Sequence, residues 1–266
     1  MQRNTAPAIA AAAAWVPGAA AFAVMWADHA IDDTAAFTSD LERAFALAER
    51  EPVLVTFGIK PPRADVNFGY VQRGDRFGEH AHRVAAFKEK PDRARAEAWL
   101  AGGVSLWNCG IFVWRRPVFM DALELGRPAL ARAFRSFTFD GTGAGFERAL
   151  ADLFPALEAI SVDHAVLEPA TNAVVIEASF DWDDLGSWGA WARRQPRDER
   201  GNVRHGATEV FDCDRCVVVG EGGIAAAIGL SDMVVVHAHG ATLTCPVDRS
   251  EQVRRVSEAV RARGAA

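Results

Sequence analysis

Acidic, basic and amide side chains follow several apolar runs of the chain, where strands are expected to end. Asp28 follows one run, Glu89 and Lys90 follow a second, and Asn108 lies in a third. Asp184 lies in a tight tryptophan-rich turn. Two carboxylates from separate segments can hold Mg²⁺, which binds through few carboxylates plus substrate phosphates. A lysine can neutralise a phosphate, and a glutamate together with an asparagine can orient sugar hydroxyls.

Each of these residues also has a structural explanation when taken alone. An aspartate after a strand caps a helix, a Glu-Lys-Pro sequence is a solvated strand exit, and a Trp-Asn pair combines a core residue with a turn-making amide. The functional interpretation therefore depends on the order of the residues and on their combined chemistry.

Two other motifs are assigned structural roles. A candidate zinc set would contain Cys213, Cys216, His237, His239 and Cys245. Structural zinc sites have two tight ligand pairs, so buried thiols are expected instead. The run Gly141–Gly145 resembles a phosphate-binding turn, but no Lys-Ser or Lys-Thr pair follows it, which favours a plain loop.

Alternating apolar and helical patterns place the polar residues on a parallel or mixed α/β sheet. The predicted strands are Ala21–Trp26, Val53–Ile59, Arg83–Glu89, Ser105–Trp114 and Ala173–Ala178, the first of them buried on both faces. The predicted helices are Ala6–Trp15 with Thr5 as its cap, Thr34–Arg50, Asp92–Ala101 and a helical region Pro117–Pro155. Short apolar runs at Cys216–Val219, Ile224–Ile228, Met233–His237 and Ala241–Cys245 predict a small β appendage that a helix over Arg249–Arg263 closes.

The segment Ala6–Ala27 has no charged residue and imitates a signal peptide. Export is therefore an alternative hypothesis, but Pro7, Pro17 and Gly18 interrupt the segment and favour interior helix and strand. Composition excludes collagen, low-complexity disorder and a basic nucleic-acid binder, since the 266 residues are 50% hydrophobic with net charge −6. Four cysteines are too few for a disulfide framework, which predicts a reducing, cytoplasmic location.

Taken in order, the motifs resemble those of the nucleotidyltransferases that make nucleotide sugars, and most closely the mannose-1-phosphate guanylyltransferase family. The resemblance implies a base-contacting, nucleotide-binding segment of Arg3, Asn4, Thr5, Ala6 and Pro7. It implies substrate contacts from Gly69, Tyr70, Glu89, Asn108, Gly110 and Asp163, with Lys90 facing the sugar phosphate as the catalytic residue. It also implies that Asp28 and Asp184 hold Mg²⁺.

The resemblance implies a Rossmann-like nucleotidyltransferase sheet that lacks its first strands. Residues 1–195 would form this partial α/β domain, and residues 202–266 the β-rich appendage with its closing helix. The implied reaction converts mannose 1-phosphate and GTP into GDP-mannose and pyrophosphate. The expected partners are these two substrates, together with either a second copy of the chain or a separate chain that supplies the front segment. Neither nucleic acid nor a membrane is expected as a partner.

The family's Gly-rich triphosphate loop precedes the segment that begins at Arg3, and we expect this chain to lack it. We therefore expect either a truncated copy or a front half on another polypeptide, and little GDP-mannose synthesis by the chain alone. The alternative function is a non-catalytic remnant or partner subunit that keeps sugar-phosphate binding.

Overall fold

The computed structural model describes residues 2–139 and 141–263. The chain divides into two compact units. The first contains the residues up to Ala27 and Ile31–Trp182, and the second contains Asp28–Ala30 and the residues from Asp183 onward. The sequence-based domain boundary between residues 195 and 202 stays a prediction.

The first unit is a mixed α/β structure, as predicted. Its strands are β1 (Ala21–Val24), β2 (Leu54–Ile59), β3 (Gly69–Phe77), β4 (Ala81–Lys88), β5 (Ser105–Arg115) and β6 (Ala173–Glu177). Its α-helices are α1 (Thr5–Ala13), α2 (Thr34–Arg50), α3 (Arg93–Gly102), α4 (Arg116–Gly126), α5 (Pro128–Arg135) and α6 (Gly143–Leu153). A 3₁₀ turn at Phe154–Ala156 and one π-helical turn at Asp163–Leu167 follow α6.

The six strands form one sheet in the order β1-β5-β2-β6-β4-β3, and β5 also pairs with β3. Only the pairing of β2 with β6 is parallel. The prediction that Ala21–Trp26 is buried on both faces is wrong, because β1 is half-buried and stands first in the sheet order, antiparallel to β5. An apolar run alone does not distinguish such a strand from a central parallel one.

The long strand β5 divides the core of the first unit into two layers. Successive side chains of a strand point to opposite faces of its sheet. Phe112 and Trp114 therefore pack in the layer that holds α1, α4 and α5, whereas Ile111 and Val113 pack in the layer that holds α2. This burial fixes the register of β5 and hence the face on which Asn108 lies.

The apolar N-terminal segment is part of this core. Ala6, Ile9 and Ala10 of α1 are buried, and β1 is hydrogen-bonded to β5. The cap of α1 is Asn4, whose side chain accepts from the Thr5 N–H, so the prediction of a Thr5 cap is wrong. No helix within the described ranges has the length and apolarity needed to cross a lipid bilayer.

The second unit contains a coil of parallel strands. Its elements are α7 (Trp188–Arg193), β7 (Val203–Phe211), β8 (Val217–Ile228), β9 (Met233–Ala238), β10 (Ala241–Pro246), a 3₁₀ turn at Val247–Gln252 and α8 (Val253–Ala262). Val203 lies beside Val217, which lies beside Val234, although parallel neighbours usually need a long crossover. Gly206 lies against Gly220 where the pairing of β7 with β8 shifts register. Its φ is +71°, and a Cβ there would lie 2.1 Å from the Gly220 carbonyl oxygen.

Cys213 and Cys216 are buried inside this coil with Val218, Ala225 and Ala227. The four cysteines of the chain are free thiols. In the part of the chain that the structure describes, no group of three or more His, Cys, Asp or Glu side chains is arranged to hold a metal ion. The cysteine motif therefore contributes to the packing of the coil.

Candidate functional site

Three polar side chains converge in the first unit, from the turn after β4, from β5 and from the π-helical turn. The Asn108 Nδ2 donates to Asp163 Oδ1 at 3.0 Å. The third side chain is Glu89. Gly69 lies against Glu89 and Asn108, because a Cβ on Gly69 would be 2.5 Å from Glu89 Oε2 and 3.4 Å from Asn108 Cβ. The fold thus brings together Gly69, Glu89, Asn108 and Asp163, which lie far apart in the sequence and were all predicted to bind substrate.

The carboxyl of Asp163 holds its proton more tightly than an ordinary aspartate does. Burial is the main cause and raises its pKa to about 6, and the nearby Glu89 carboxylate acts in the same direction. The Asn108 amide and His164 oppose this effect. Beside the Glu89 carboxylate, Asp163 therefore offers an oxygen acceptor whose charge changes near pH 6.

The amide of Asn108 is held from both ends. Its Oδ1 accepts from the Thr56 hydroxyl at 3.1 Å and from the Gly110 N–H at 3.3 Å. Its Nδ2 donates to Asp163. Asn108 is therefore a fixed donor toward the Asp163 carboxylate.

Lys90 lies beside the Glu89 carboxylate in an uncommon backbone conformation. Its φ is +46°, in the left-handed region, and Pro91 follows it. Its Nζ lies 3.3 Å from Glu89 Oε1, and the side chain is 64% exposed. A left-handed conformation before proline is strained for a lysine, and such strain is concentrated at functional sites.

Glu168, which the sequence analysis did not identify, supports this turn. Its Oε1 accepts from Lys88 Nζ at 3.2 Å and from the Glu89 N–H at 3.4 Å. It directly follows the π-helical turn that carries Asp163. One carboxylate therefore connects the segment of Glu89 with that of Asp163.

The structure places the other predicted substrate residues, Tyr70 and Gly110, in packed surroundings. Tyr70 is fully buried, and its hydroxyl accepts from the Asp65 N–H at 2.9 Å. Gly110 has φ +73°, and a Cβ there would lie 2.2 Å from the indole nitrogen of Trp26. Gly110 is therefore needed to admit Trp26, a residue that the sequence analysis did not assign to the site.

The predicted nucleotide segment is tied to the chain that leads into the π-helical turn. The Arg3 guanidinium donates to the carbonyl oxygens of Phe154 and Pro155. Thr5 Oγ1 accepts from the Val162 N–H at 2.8 Å. Ala6 and Pro7 are buried in α1, and Asn4 caps the helix. These contacts are internal, and the nucleotide-binding role of the five residues stays a prediction.

In the second unit, acidic side chains surround His29. Burial lowers the pKa of His29, and the carboxylates of Asp28, Asp184 and Asp183 act in the opposite direction. Asp183 accepts from Arg193 Nη2 and from the Leu185 N–H, each at 3.0 Å. Asp28 and Asp184, the two predicted metal ligands, therefore lie near one imidazole.

Asp184 belongs to a tight turn. Its Oδ1 accepts from the Gly186 N–H at 3.2 Å, and burial raises its pKa. The Asp184 carboxylate folds back against Gly186, since a Cβ there would lie 2.7 Å from Asp184 Oδ2. A carboxylate pair of this kind fits Mg²⁺, because that ion needs only one or two protein carboxylates when phosphates complete its shell.

Comparison with known proteins identifies two parts of the chain. A nucleotidyl transferase family model matches residues 1–200, and a model described as MannoseP isomerase/GMP-like beta-helix domain matches residues 209–259. A solved structure of mannose-1-phosphate geranyltransferase from Thermus thermophilus is 30% identical with a TM-score of 0.83 and covers 98% of this chain and 76% of that one.

Curated relatives agree with these matches. Mannose-1-phosphate guanylyltransferase from Klebsiella pneumoniae is 37% identical over 96% of this chain. The xanthan biosynthesis protein XanB from Xanthomonas campestris is 36% identical over 98% of it. The chain spans 56% of the length of each of these two relatives. The matches confirm the resemblance found in the sequence, and the chain therefore belongs to the nucleotidyl transferase family.

Proposed function

We propose that this protein transfers a guanylyl group from GTP to mannose 1-phosphate and releases pyrophosphate. The observation that carries the proposal is the convergence of Glu89, Asn108 and Asp163 beside the Lys90 ammonium. Carboxylates accept hydrogen bonds from sugar hydroxyls, an amide donates to them, and an ammonium attracts a phosphate. The name shared by several relatives supports mannose as the sugar and guanine as the base.

In this reaction an oxygen of the sugar phosphate attacks the α-phosphorus of GTP. The bond from that phosphorus to the β-phosphate oxygen breaks, and pyrophosphate leaves in line with the attack. The protein contributes mainly position and charge neutralisation in such transfers. Lys90 would hold the sugar phosphate, while Glu89 and Asn108 would orient the sugar ring.

Asp28 and Asp184 would hold a magnesium ion. A divalent cation neutralises the charge that develops on the phosphate oxygens during transfer. The structure supports this choice of ligands in two ways. The charges of Asp28 and Asp184 both raise the pKa of the His29 imidazole, so the two carboxylates lie near the same group. The neighbouring carboxylate of Asp183 instead accepts a hydrogen bond from Arg193. A cytoplasmic location is part of the same proposal, and the free, buried thiols of Cys109, Cys213 and Cys216 support it.

Two measurements on the full chain test the proposal. Chromatography of a mixture with GTP, mannose 1-phosphate and Mg²⁺ is expected to show little GDP-mannose from the chain alone and more when the family's Gly-rich front segment is supplied as a second polypeptide. Calorimetry is expected to show binding of mannose 1-phosphate by the chain itself. Lys90→Ala is expected to weaken that binding by about tenfold, the effect of losing one partly exposed charge-assisted bond.

Arg93→Ala is the matched control, because it removes a nearby cation whose ion-pair partner is Glu97 in the same helix. It is expected to leave the binding of mannose 1-phosphate unchanged. Equal binding by the Lys90→Ala variant and the unmodified chain would reject the phosphate role of Lys90. Absence of both binding and GDP-mannose would reject the proposed function.

A further inference from the structure

A single polar side chain interrupts the buried strand β2. Thr56 is 0% exposed, and its sequence neighbours Val55 and Phe57 are equally buried. Its hydroxyl lies 3.1 Å from Asn108 Oδ1 and 3.5 Å from the Ile111 carbonyl oxygen. A buried hydroxyl needs a partner, and the shorter distance identifies Asn108 as the acceptor.

When the Asp163 carboxyl is ionised, the surroundings of Asn108 allow only one orientation of its amide. The Gly110 N–H is a donor, so the amide atom that faces it at 3.3 Å must be the oxygen. The atom that faces the Asp163 carboxylate at 3.0 Å must then be the nitrogen. A flipped amide would bring two N–H groups together at one end and two oxygens together at the other. The Thr56 hydroxyl adds a second donor to the end that already faces Gly110.

We infer that Thr56 is a positioning residue, which holds the Asn108 amide so that its N–H faces Asp163 and thereby sets the direction and charge of the groups assigned to sugar binding. Thr56 touches no substrate in this inference, and its effect passes through Asn108 alone. The part that concerns the sugar rests on the proposed function, whereas the contact between Thr56, Asn108 and Asp163 does not.

The charge on Asp163 reports whether the amide is in place. Burial and the Glu89 carboxylate raise the pKa of Asp163, while the Asn108 N–H and the charge of His164 lower it. An amide that loses the Thr56 donor is restrained at Oδ1 by one backbone N–H only, so its bond to Asp163 is weaker on average. The pKa of Asp163 should then rise further.

The test compares Thr56→Val, which keeps the shape of the side chain and removes the hydroxyl, with Thr56→Ser, which keeps the hydroxyl. The carboxyl signal of Asp163 is followed by ¹³C NMR during a pH titration of the ligand-free full chain, and Asp163→Asn assigns the signal. Thr56→Val is expected to lower the acid dissociation constant of Asp163 by about two- to fivefold, which corresponds to one ordinary hydrogen bond. Thr56→Ser is expected to keep the unmodified value.

A titration curve of Thr56→Val that coincides with that of the unmodified chain would overturn the inference, as would a Thr56→Ser curve displaced as far as that of Thr56→Val. If Thr56→Val does not fold, Thr56→Ala also lacks the hydroxyl and makes the same comparison with Thr56→Ser. A fold defect alone would not move the pKa in the valine variant and restore it in the serine variant.

Binding of mannose 1-phosphate is measured in parallel by calorimetry. Thr56→Val is expected to raise the dissociation constant by about fivefold, and Thr56→Ser to leave it near the unmodified value. If the unmodified chain does not bind mannose 1-phosphate, the proposed function fails, and the carboxyl titration still decides the role of Thr56.

Discussion

Replacement of Asp163 by asparagine should stabilise the first unit at neutral and alkaline pH. Folding raises the pKa of this carboxyl from 3.8 to about 6, chiefly by burial. One pKa unit corresponds to about 1.4 kcal/mol, so the ionised form costs the folded state up to about 3 kcal/mol. Asparagine keeps an oxygen for the Asn108 N–H and carries no charge.

The sign of the pH dependence follows from the raised pKa. Because the folded state binds the proton more tightly, this group makes the unmodified chain more stable as pH falls from about 6 to about 4. The Asp163→Asn variant lacks this contribution. It should exceed the unmodified chain in unfolding free energy by up to about 3 kcal/mol above pH 7, and the difference should vanish below about pH 4.

Urea denaturation at a series of pH values, followed by tryptophan fluorescence, measures this difference. Asp152→Asn is the control, because it removes an exposed carboxylate from α6. It is expected to change the unfolding free energy little at any pH. An Asp163→Asn variant that is no more stable than the unmodified chain at pH 8, or a difference that does not shrink toward pH 4, would refute the assignment of a buried, proton-binding carboxyl.

Two further predictions concern local structure. Gly110→Ala should lower the unfolding free energy of the first unit by at least about 1–2 kcal/mol in urea denaturation. The reason is that φ is +73° and the new methyl would contact Trp26. An unchanged unfolding free energy would contradict this close approach. Asn202→Ala should destabilise the second unit by about 2–4 kcal/mol, because the buried amide donates to the Cys213 carbonyl and accepts from the Cys216 N–H. Hydrogen exchange should then become faster in β8, and unchanged protection of β8 would show that the amide is not needed.

The parts of the fold that depend on local sequence could be predicted. The helix over Thr34–Arg50 is confirmed. It could be predicted because its amphipathic pattern is a local signal. The strand β3 was missed, since its arginines and aspartate obscure the apolar residues that pair with β4. The parallel coil of the second unit was also not predicted, because it depends on pairing between separate segments, such as Val203 with Val217, which the local pattern does not determine.

Several residues of the site could be predicted from the sequence, but the hydrogen bonds that connect them could not. Glu89 and Asn108 were identified by their chemistry and by the family resemblance. Thr56 was not, although a lone threonine in an apolar strand was a visible signal. Its contact with Asn108 joins residues 52 positions apart, and the contact of Glu168 with Glu89 joins residues 79 positions apart. Contacts of this range follow from the register of the sheet, which the local pattern does not determine.

The central claim is that a sugar 1-phosphate binds against Asn108 and its neighbouring carboxylates. The most direct test is a ¹⁵N NMR titration of the full chain with mannose 1-phosphate, in which the side-chain amide of Asn108 is observed. We predict a saturable change in this signal that Glu89→Gln weakens and that inorganic phosphate alone does not reproduce. An unchanged Asn108 amide at saturating mannose 1-phosphate would contradict the claim.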